Sequence, residues 1–320
     1  MLIPILLLIT GLIILIFGAN YLVEGSSEMA KKLNISDLAI GLTIVAFGTS
    51  APELVVNTFA ALQGHQDLVF GNVLGSNNFN LFIILGITGL ITPLAVQSST
   101  VWKEIPISFL AVVVLYFLVN DRLLFNSETS ILSSLDAVVL LILFGFFIFY
   151  VYSQLKSAPG EIEIKTHHLS NLMIAIYIIG GLGGLIYGGY LVVNNAVDIA
   201  HIFGISEKII GLTVVAAGTS LPELATSLVA ALKKNADIAV GNIIGSNIFN
   251  ISLILGVSGI LKPIRFDPLF NVDMYILGGG TIFLFLIMFI GKKKILERWQ
   301  AAILLLFYLG YMSYLVMEES

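Results

Sequence analysis

The stretch Ile35–Leu54, ISDLAIGLTIVAFGTSAPEL, returns 170 positions later as Ile205–Leu224, ISEKIIGLTVVAAGTSLPEL. At the same offset Gly71–Pro93, GNVLGSNNFNLFIILGITGLITP, returns as Gly241–Pro263, GNIIGSNIFNISLILGVSGILKP. A duplicated chain brings two equivalent surfaces to one centre. Each copy carries one glutamate, Glu53 or Glu223, directly after a proline inside an apolar stretch. The duplication thus offers a matched pair of acids that can meet.

Of the 320 residues, 58% are hydrophobic and 11% are charged, too few polar side chains to cover a water-soluble globule of this size. The apolar runs are long enough to cross ~30 Å of hydrocarbon as helices of roughly 20 residues. Lipid offers backbone groups no partners, so helices are the expected spanning form. The fold class is therefore an all-α integral membrane protein with ten transmembrane helices. The expected spans are Ile3–Val23, Asp37–Gln63, Asp67–Pro93, Ile105–Val119, Ser134–Tyr152, Leu172–Val193, Lys208–Ala231, Asp237–Leu261, Val272–Ile290 and Trp299–Val316. Residues 1–153 form the first five-helix repeat, 154–170 a short polar cytoplasmic linker, and 171–320 the second repeat. Ile3–Val23 has a counterpart in Leu172–Val193 and lacks a basic segment before it, so it is expected to stay rather than to be cleaved as a signal peptide.

Lys and Arg placement sets orientation. One set of loops holds Lys31, Lys32, Lys103, Lys156, Lys165, Lys233, Lys234, Lys292, Lys293, Lys294 and Arg298; the other holds Arg122, Lys208, Lys262 and Arg265. The first set is expected in the cytoplasm, which leaves both termini outside. With five spans in each, the second repeat enters the membrane in the opposite sense to the first, and inverted repeats provide two related shapes, one open to each side. There is no cysteine, which removes disulfides and thiolate metal sites. The net charge of −5 is spread over short loops, and nothing points to nucleic acid, to a polybasic lipid-binding tail or to an obligate protein partner.

A carboxylate at mid-membrane costs a few kcal/mol or more unless it is partnered or hydrated. No Lys or Arg falls at mid-depth in any expected span, so the partner of Glu53 and Glu223 is a proton or a bound metal ion. The preceding Gly48-Thr49-Ser50-Ala51-Pro52 and Gly218-Thr219-Ser220-Leu221-Pro222 should break each helix and restart it with Pro in the first turn. Such breaks free carbonyls, among them those of Ala46, Thr49, Ala216 and Thr219, for a dehydrated cation. Ser76 with Asn80, and Ser246 with Asn250, share a helix face at i,i+4. This all-oxygen set suits Ca2+ better than a transition metal. The glycines Gly71, Gly75, Gly241 and Gly245 read chiefly as packing positions.

GTSAPEL with GNVLGSNNFN, and GTSLPEL with GNIIGSNIFN, resemble the paired alpha-repeats of the prokaryotic sodium/calcium exchangers, in the calcium/cation antiporter superfamily. The resemblance covers the ten-span plan. It implies that Glu53 and Glu223 are central Ca2+ ligands shared with Na+, and that carbonyls of Thr49 and Thr219 complete the Ca2+ shell. It also implies that Ala46, Ser50, Ser76, Ala216, Ser220 and Ser246 line flanking Na+ sites, with Asn80 and Asn250 beside the centre. The first and sixth helices become the candidate gate. Some prokaryotic members carry aspartate at the position of Asn250, which leaves two central acids here, and the large calcium-sensing insert of animal exchangers is missing.

The implied function is secondary antiport of Na+ against Ca2+ by alternating access across the cell (inner) membrane, with no covalent chemistry and no cofactor beyond the transported ions. A proton-driven or K+-dependent cation antiporter competes with it, and a cation channel is a more distant alternative. An intramembrane hydrolase is disfavoured by the absence of HExxH and GxSxG. Asp37 and Glu207, after Ser36 and Ser206, read as helix-start acids, as do Asp67 and Asp237. Glu24, Glu28 and Asp198 read as hydrated boundary residues, the histidines as loop or interface residues, and Trp102 and Trp299 as interfacial anchors.

Overall fold

The computed structural model describes residues 2–33, 35–121, 123, 129–157, 169–202 and 216–319. Arg122, most of the 154–170 linker including His167 and His168, and Ser206, Glu207 and Lys208 at the start of the expected seventh span lie outside the described residues. Among the described residues, seven helices are long and apolar enough to cross a membrane: Ile3–Leu33, Gln66–Ile91, Thr100–Val119, Ser134–Gln154, Asn171–Ala196, Ala236–Leu261 and Pro268–Ile287. An eighth consists of Asp37–Thr49 and Ala51–Gln63, bent by 47° at the break between them. The shorter Leu221–Leu232 occupies part of the expected seventh span, and the helix Arg298–Glu319 covers the expected tenth, Trp299–Val316. The protein is an all-helical membrane protein, with extended structure confined among the described residues to four two-residue strands.

The chain divides into two compact units, Met1–Val55 with Ile148–Ser246, and Val56–Phe147 with Asn247–Ser320. The first is built around Leu2–Leu33 packed on Asn171–Ile202. Gly11, Gly18 and Gly25 recur every seven residues on one helix; Gly11 faces Gly188, Gly18 faces Gly181, and Gly25 meets Tyr177 and Ile178 on the other. A Cβ on Gly18 would stand 2.7 Å from the Leu185 nitrogen, one on Gly181 2.6 Å from that of Leu22, and one on Gly188 2.7 Å from that of Leu15. The two backbones touch, as small residues allow between membrane helices.

Both helices outrun their expected ends. The apolar run stops at Val23, but Glu24-Gly25-Ser26-Ser27-Glu28 contains no proline to end the helix, which continues to Leu33. At about 1.5 Å per residue, 32 residues reach ~48 Å. Glu28 is therefore not a hydrated boundary residue: it is buried and pairs with Lys31 at 2.7 Å. Nearby, Lys233 Nζ donates to the Asn20 carbonyl at 3.1 Å and lies 3.6 Å from Glu24, while Asn235 donates to the Ser27 hydroxyl at 2.9 Å. Ser36 caps Asp37–Ile40 by accepting from Ala39 N–H, as expected, and Asp37 also accepts from Asn235.

Gln66–Asn78, in the second unit, and its counterpart Ala236–Ile248, which belongs to the first as far as Ser246, each run into a π-helical turn, Phe79–Ile84 and Phe249–Ile254, before regular helix resumes. Matched glycines then seat a helix. Gly86 and Gly89 face Leu305 and Ala301, and Gly256 and Gly259 face Leu141 and Ala137, at 2.7–3.0 Å from an added Cβ. Thr92 and Lys262 are extended because each precedes a proline, Pro93 or Pro263. The chain beyond forms two antiparallel bridges, Leu94–Ala95 with Ile295–Leu296 and Ile131–Leu132 with Ile264–Arg265. These short pairs have no alternating pattern to announce them.

Candidate functional site

Each acid follows a real helix break. Ala46–Thr49 stops at Ser50 (φ −84°, ψ 5°) and Ala216–Thr219 stops at Ser220 (φ −91°, ψ 7°); helix resumes at Ala51 and Leu221 with proline in the first turn. Proline cannot supply an N–H there, and in the first turn none is needed. The two breaks close differently. Ser50 N–H reaches the Ala46 carbonyl at 3.0 Å, whereas Ser220 N–H turns to Ala217 at 3.2 Å. The Ala46 carbonyl is thus not freed as expected; it also receives the Thr49 hydroxyl at 3.4 Å, because the first break keeps one more helical hydrogen bond.

Glu53 and Glu223 are both 1% exposed, and they meet within the first compact unit. Their hydrogen bonds cross over between the copies. Ser50, three residues before Glu53, donates to Glu223 Oε1 at 2.7 Å; Ser220, three residues before Glu223, donates to Glu53 Oε1 at 3.4 Å. Ser246 lies 3.4 Å from Glu223 Oε1 and 3.0 Å from the Ser50 hydroxyl. Glu223 Oε2 is buried and has no hydrogen-bond partner among the described residues. A carboxylate oxygen left bare in a hydrophobic interior calls for a cation.

Two residues that sequence reasoning passed over brace this arrangement. Asn242 accepts from the Thr49 hydroxyl at 3.0 Å and donates to the Glu223 carbonyl at 3.3 Å and to the Ser227 hydroxyl at 3.0 Å. Ser227 contacts the Ala239 carbonyl at 3.4 Å. Asn242 was already in view as the asparagine of the repeated GN, matched by Asn72.

Within the second unit, Asn77 and Asn247 exchange side chain-to-carbonyl bonds at 3.3 and 3.4 Å. Asn80 donates to Asn247 Oδ1 at 3.0 Å and Asn250 to Asn77 Oδ1 at 3.1 Å. The amide nitrogens are thereby committed. The buried Oδ1 atoms of Asn80 and Asn250 are left without hydrogen-bond partners among the described residues. Ser76 is buried with its hydroxyl 3.4 Å from Asn72 Oδ1. Asn77 and Asn247 were also missed, although both belong to the repeated GSN.

Of the other expected ligands, Thr49 and Ser220 are buried and Thr219 ends its helix. Ala216 opens the same short helix. Gly241 and Gly245 serve packing: an added Cβ would stand 3.0 Å from the Leu38 oxygen or the Leu42 Cα. Gly71 meets Phe270 at ordinary contact distance, and no described atom lies within 4 Å of a Cβ on Gly75.

Helical membrane proteins with acids at matched helix breaks fall in the class of ion-coupled secondary transporters. The chain belongs to the sodium/calcium exchanger protein family, whose sequence profile matches residues 3–153 and 173–317. It is 36% identical to the inner membrane protein YrbG of Escherichia coli over 278 residues, covering 84% of this chain and 83% of that one. It is 30% identical to the sodium/calcium exchanger MaX1 of Methanosarcina acetivorans over 342 residues, covering 96% and 97%. A solved structure of the sodium-calcium exchanger NCX_Mj, soaked with 2.5 mM Na+ and 10 mM Sr2+, superposes with a TM-score of 0.82 at 32% identity over 98% of each chain.

Proposed function

We propose that this chain is a secondary antiporter exchanging Na+ for Ca2+ by alternating access across the cell (inner) membrane. Its ten spans form two inverted five-helix repeats, residues 1–153 and 171–320, with both termini outside. Glu53 and Glu223 hold the transported Ca2+ and are ligands shared with Na+; carbonyls of Thr49 and Thr219 complete the Ca2+ shell. Ser50, Ser220, Ser76 and Ser246, with Ala46 and Ala216, line the flanking Na+ sites. Asn80 and Asn250 contribute the amide oxygens that their own hydrogen bonds leave open.

The observation that carries this reading is the crossed pairing of Ser50 with Glu223 and Ser220 with Glu53. It gives the two buried acids hydroxyl partners from both copies, which supports a site where two carboxylates balance one divalent cation and oxygen ligands suit a hard ion. Replacing Ca2+ by Na+ at neighbouring oxygens preserves that balance. If more Na+ than Ca2+ charge crosses in a cycle, the membrane potential adds about 2.3 kcal/mol per charge per 100 mV.

Proteoliposomes loaded with Na+ and diluted into Na+-free buffer test the proposal. Ca2+ uptake should appear only with an outward Na+ gradient. Uptake that ignores Na+ and follows an imposed pH or K+ gradient would instead establish a proton- or K+-coupled antiporter.

A further inference from the structure

Three consecutive lysines, Lys292, Lys293 and Lys294, stand exposed on the turn after the helix Asn271–Ile287. Among the described residues none of them has an ion-pair partner. Glu297, three residues beyond them, is occupied: its carboxylate lies over Gly291 and accepts the Trp299 indole N–H at 3.0 Å. Arg298 adds a fourth cation, with Nε and Nη2 bonded to the carbonyls of Leu90 and Ile91 at 3.1 and 3.4 Å.

This basic turn is held in shape from several sides. Gly291 and Lys294 adopt positive φ, 74° and 61°. Lys294 N–H bonds the Met288 carbonyl at 2.9 Å, and its own carbonyl receives Val96 N–H at 2.9 Å beside the Leu94–Ala95 bridge. The fully buried Gln300 donates to the carbonyls of Ile287 and Ile290 at 3.1 and 3.0 Å, closing the helix end beneath the lysines. Pro93, Ala95, Lys292, Ile295, Glu297, Arg298 and Trp299 line a surface cleft of about 460 Å³ there, with the Glu297 carboxylate engaged by the Trp299 indole. Beside it Trp102, 59% exposed, packs on Phe289 with ring centroids 5.3 Å apart, and Trp299 is 48% exposed. Tryptophans of this kind favour the headgroup level of a bilayer.

We propose that this turn binds the phosphate headgroup of an anionic phospholipid, with Lys292, Lys293 and Lys294 contacting the phosphate and Trp102 and Trp299 flanking the glycerol and upper acyl chains. Charge complementarity selects the occupant: unpaired lysines on a rigid turn, next to exposed indoles and apolar surface, match a lipid that is anionic at its head and apolar below. A free phosphate satisfies only the first half of that match. The inference is independent of which ions the protein exchanges.

The full chain, purified in detergent, is mixed with phosphatidylglycerol or phosphatidylcholine, and retained lipid is counted by native mass spectrometry. Phosphatidylglycerol should be retained selectively, and the Lys292→Gln/Lys293→Gln/Lys294→Gln variant should bind it roughly 100-fold more weakly, at about 1 kcal/mol per basic residue. The corresponding triple arginine variant should keep it, which separates lost charge from lost fold. Equal retention by the glutamine variant, or equal retention of phosphatidylcholine, would overturn the proposal. Full displacement of phosphatidylglycerol by millimolar inorganic phosphate would also overturn it, by making the turn an anion site without lipid preference.

Discussion

Glu53 and Glu223 matter because each is buried and each is oriented by a serine from the other copy. A unit charge pair 4 Å apart is worth about 4 kcal/mol at an effective dielectric of ~20. Glu53→Gln or Glu223→Gln, which keeps the shape and removes one charge, should therefore weaken Ca2+ binding by at least about 1000-fold and abolish transport, with helical content by circular dichroism unchanged. Wild-type flux in either variant would remove that residue from the site. Asn242→Ala leaves both charges but strips hydrogen bonds from Thr49, Ser227 and the Glu223 carbonyl. At about 1 kcal/mol per bond, the three lost bonds set an upper bound of roughly 150-fold on the loss of Ca2+ affinity read by calorimetry, and unchanged affinity would reduce Asn242 to a packing residue. The acids were legible in the sequence because a charge after proline in an apolar run has few explanations. Their hydrogen-bond partners were less so: asparagine in a membrane helix must find a polar group, but its sequence position does not say which one.

At the scale of helices, the breaks at Ser50 and Ser220 were readable from Gly and Pro, whose backbone limits act locally. The π-helical turns at Phe79–Ile84 and Phe249–Ile254 were not, since neither contains glycine or proline and only the inserted residue marks them. The glycine seam between Leu2–Leu33 and Asn171–Ile202 also escaped notice, because glycine is common in membrane helices and the spacing alone does not name the partner. Gly181 and Gly183 separate contact from composition. A Cβ on Gly181 meets the Leu22 backbone, whereas one on Gly183 has no described atom within 4 Å. Gly181→Ala should lower stability by about 1–3 kcal/mol through overpacking, and Gly183→Ala should be neutral or slightly stabilising. Thermal unfolding in detergent distinguishes the two, and equal melting temperatures would deny the close backbone contact.

For the molecule as a whole, division by compactness cuts differently from division by duplication. Each compact unit takes segments from both halves of the chain, and the first contains Glu53 from one half and Glu223 from the other. Membrane class followed from composition, and family from two motif pairs at one offset. Helix ends past Val23 and Val193 did not follow, because hydropathy reports where lipid contact stops rather than where a helix does. The account rests on the two carboxylates holding one transported cation together, and anomalous X-ray scattering from crystals soaked in Sr2+ tests this most directly. A single peak within about 2.3–2.6 Å of oxygens from both Glu53 and Glu223, lost in Glu223→Gln, is the predicted result. A peak bound to one carboxylate alone, or none near either, would contradict it.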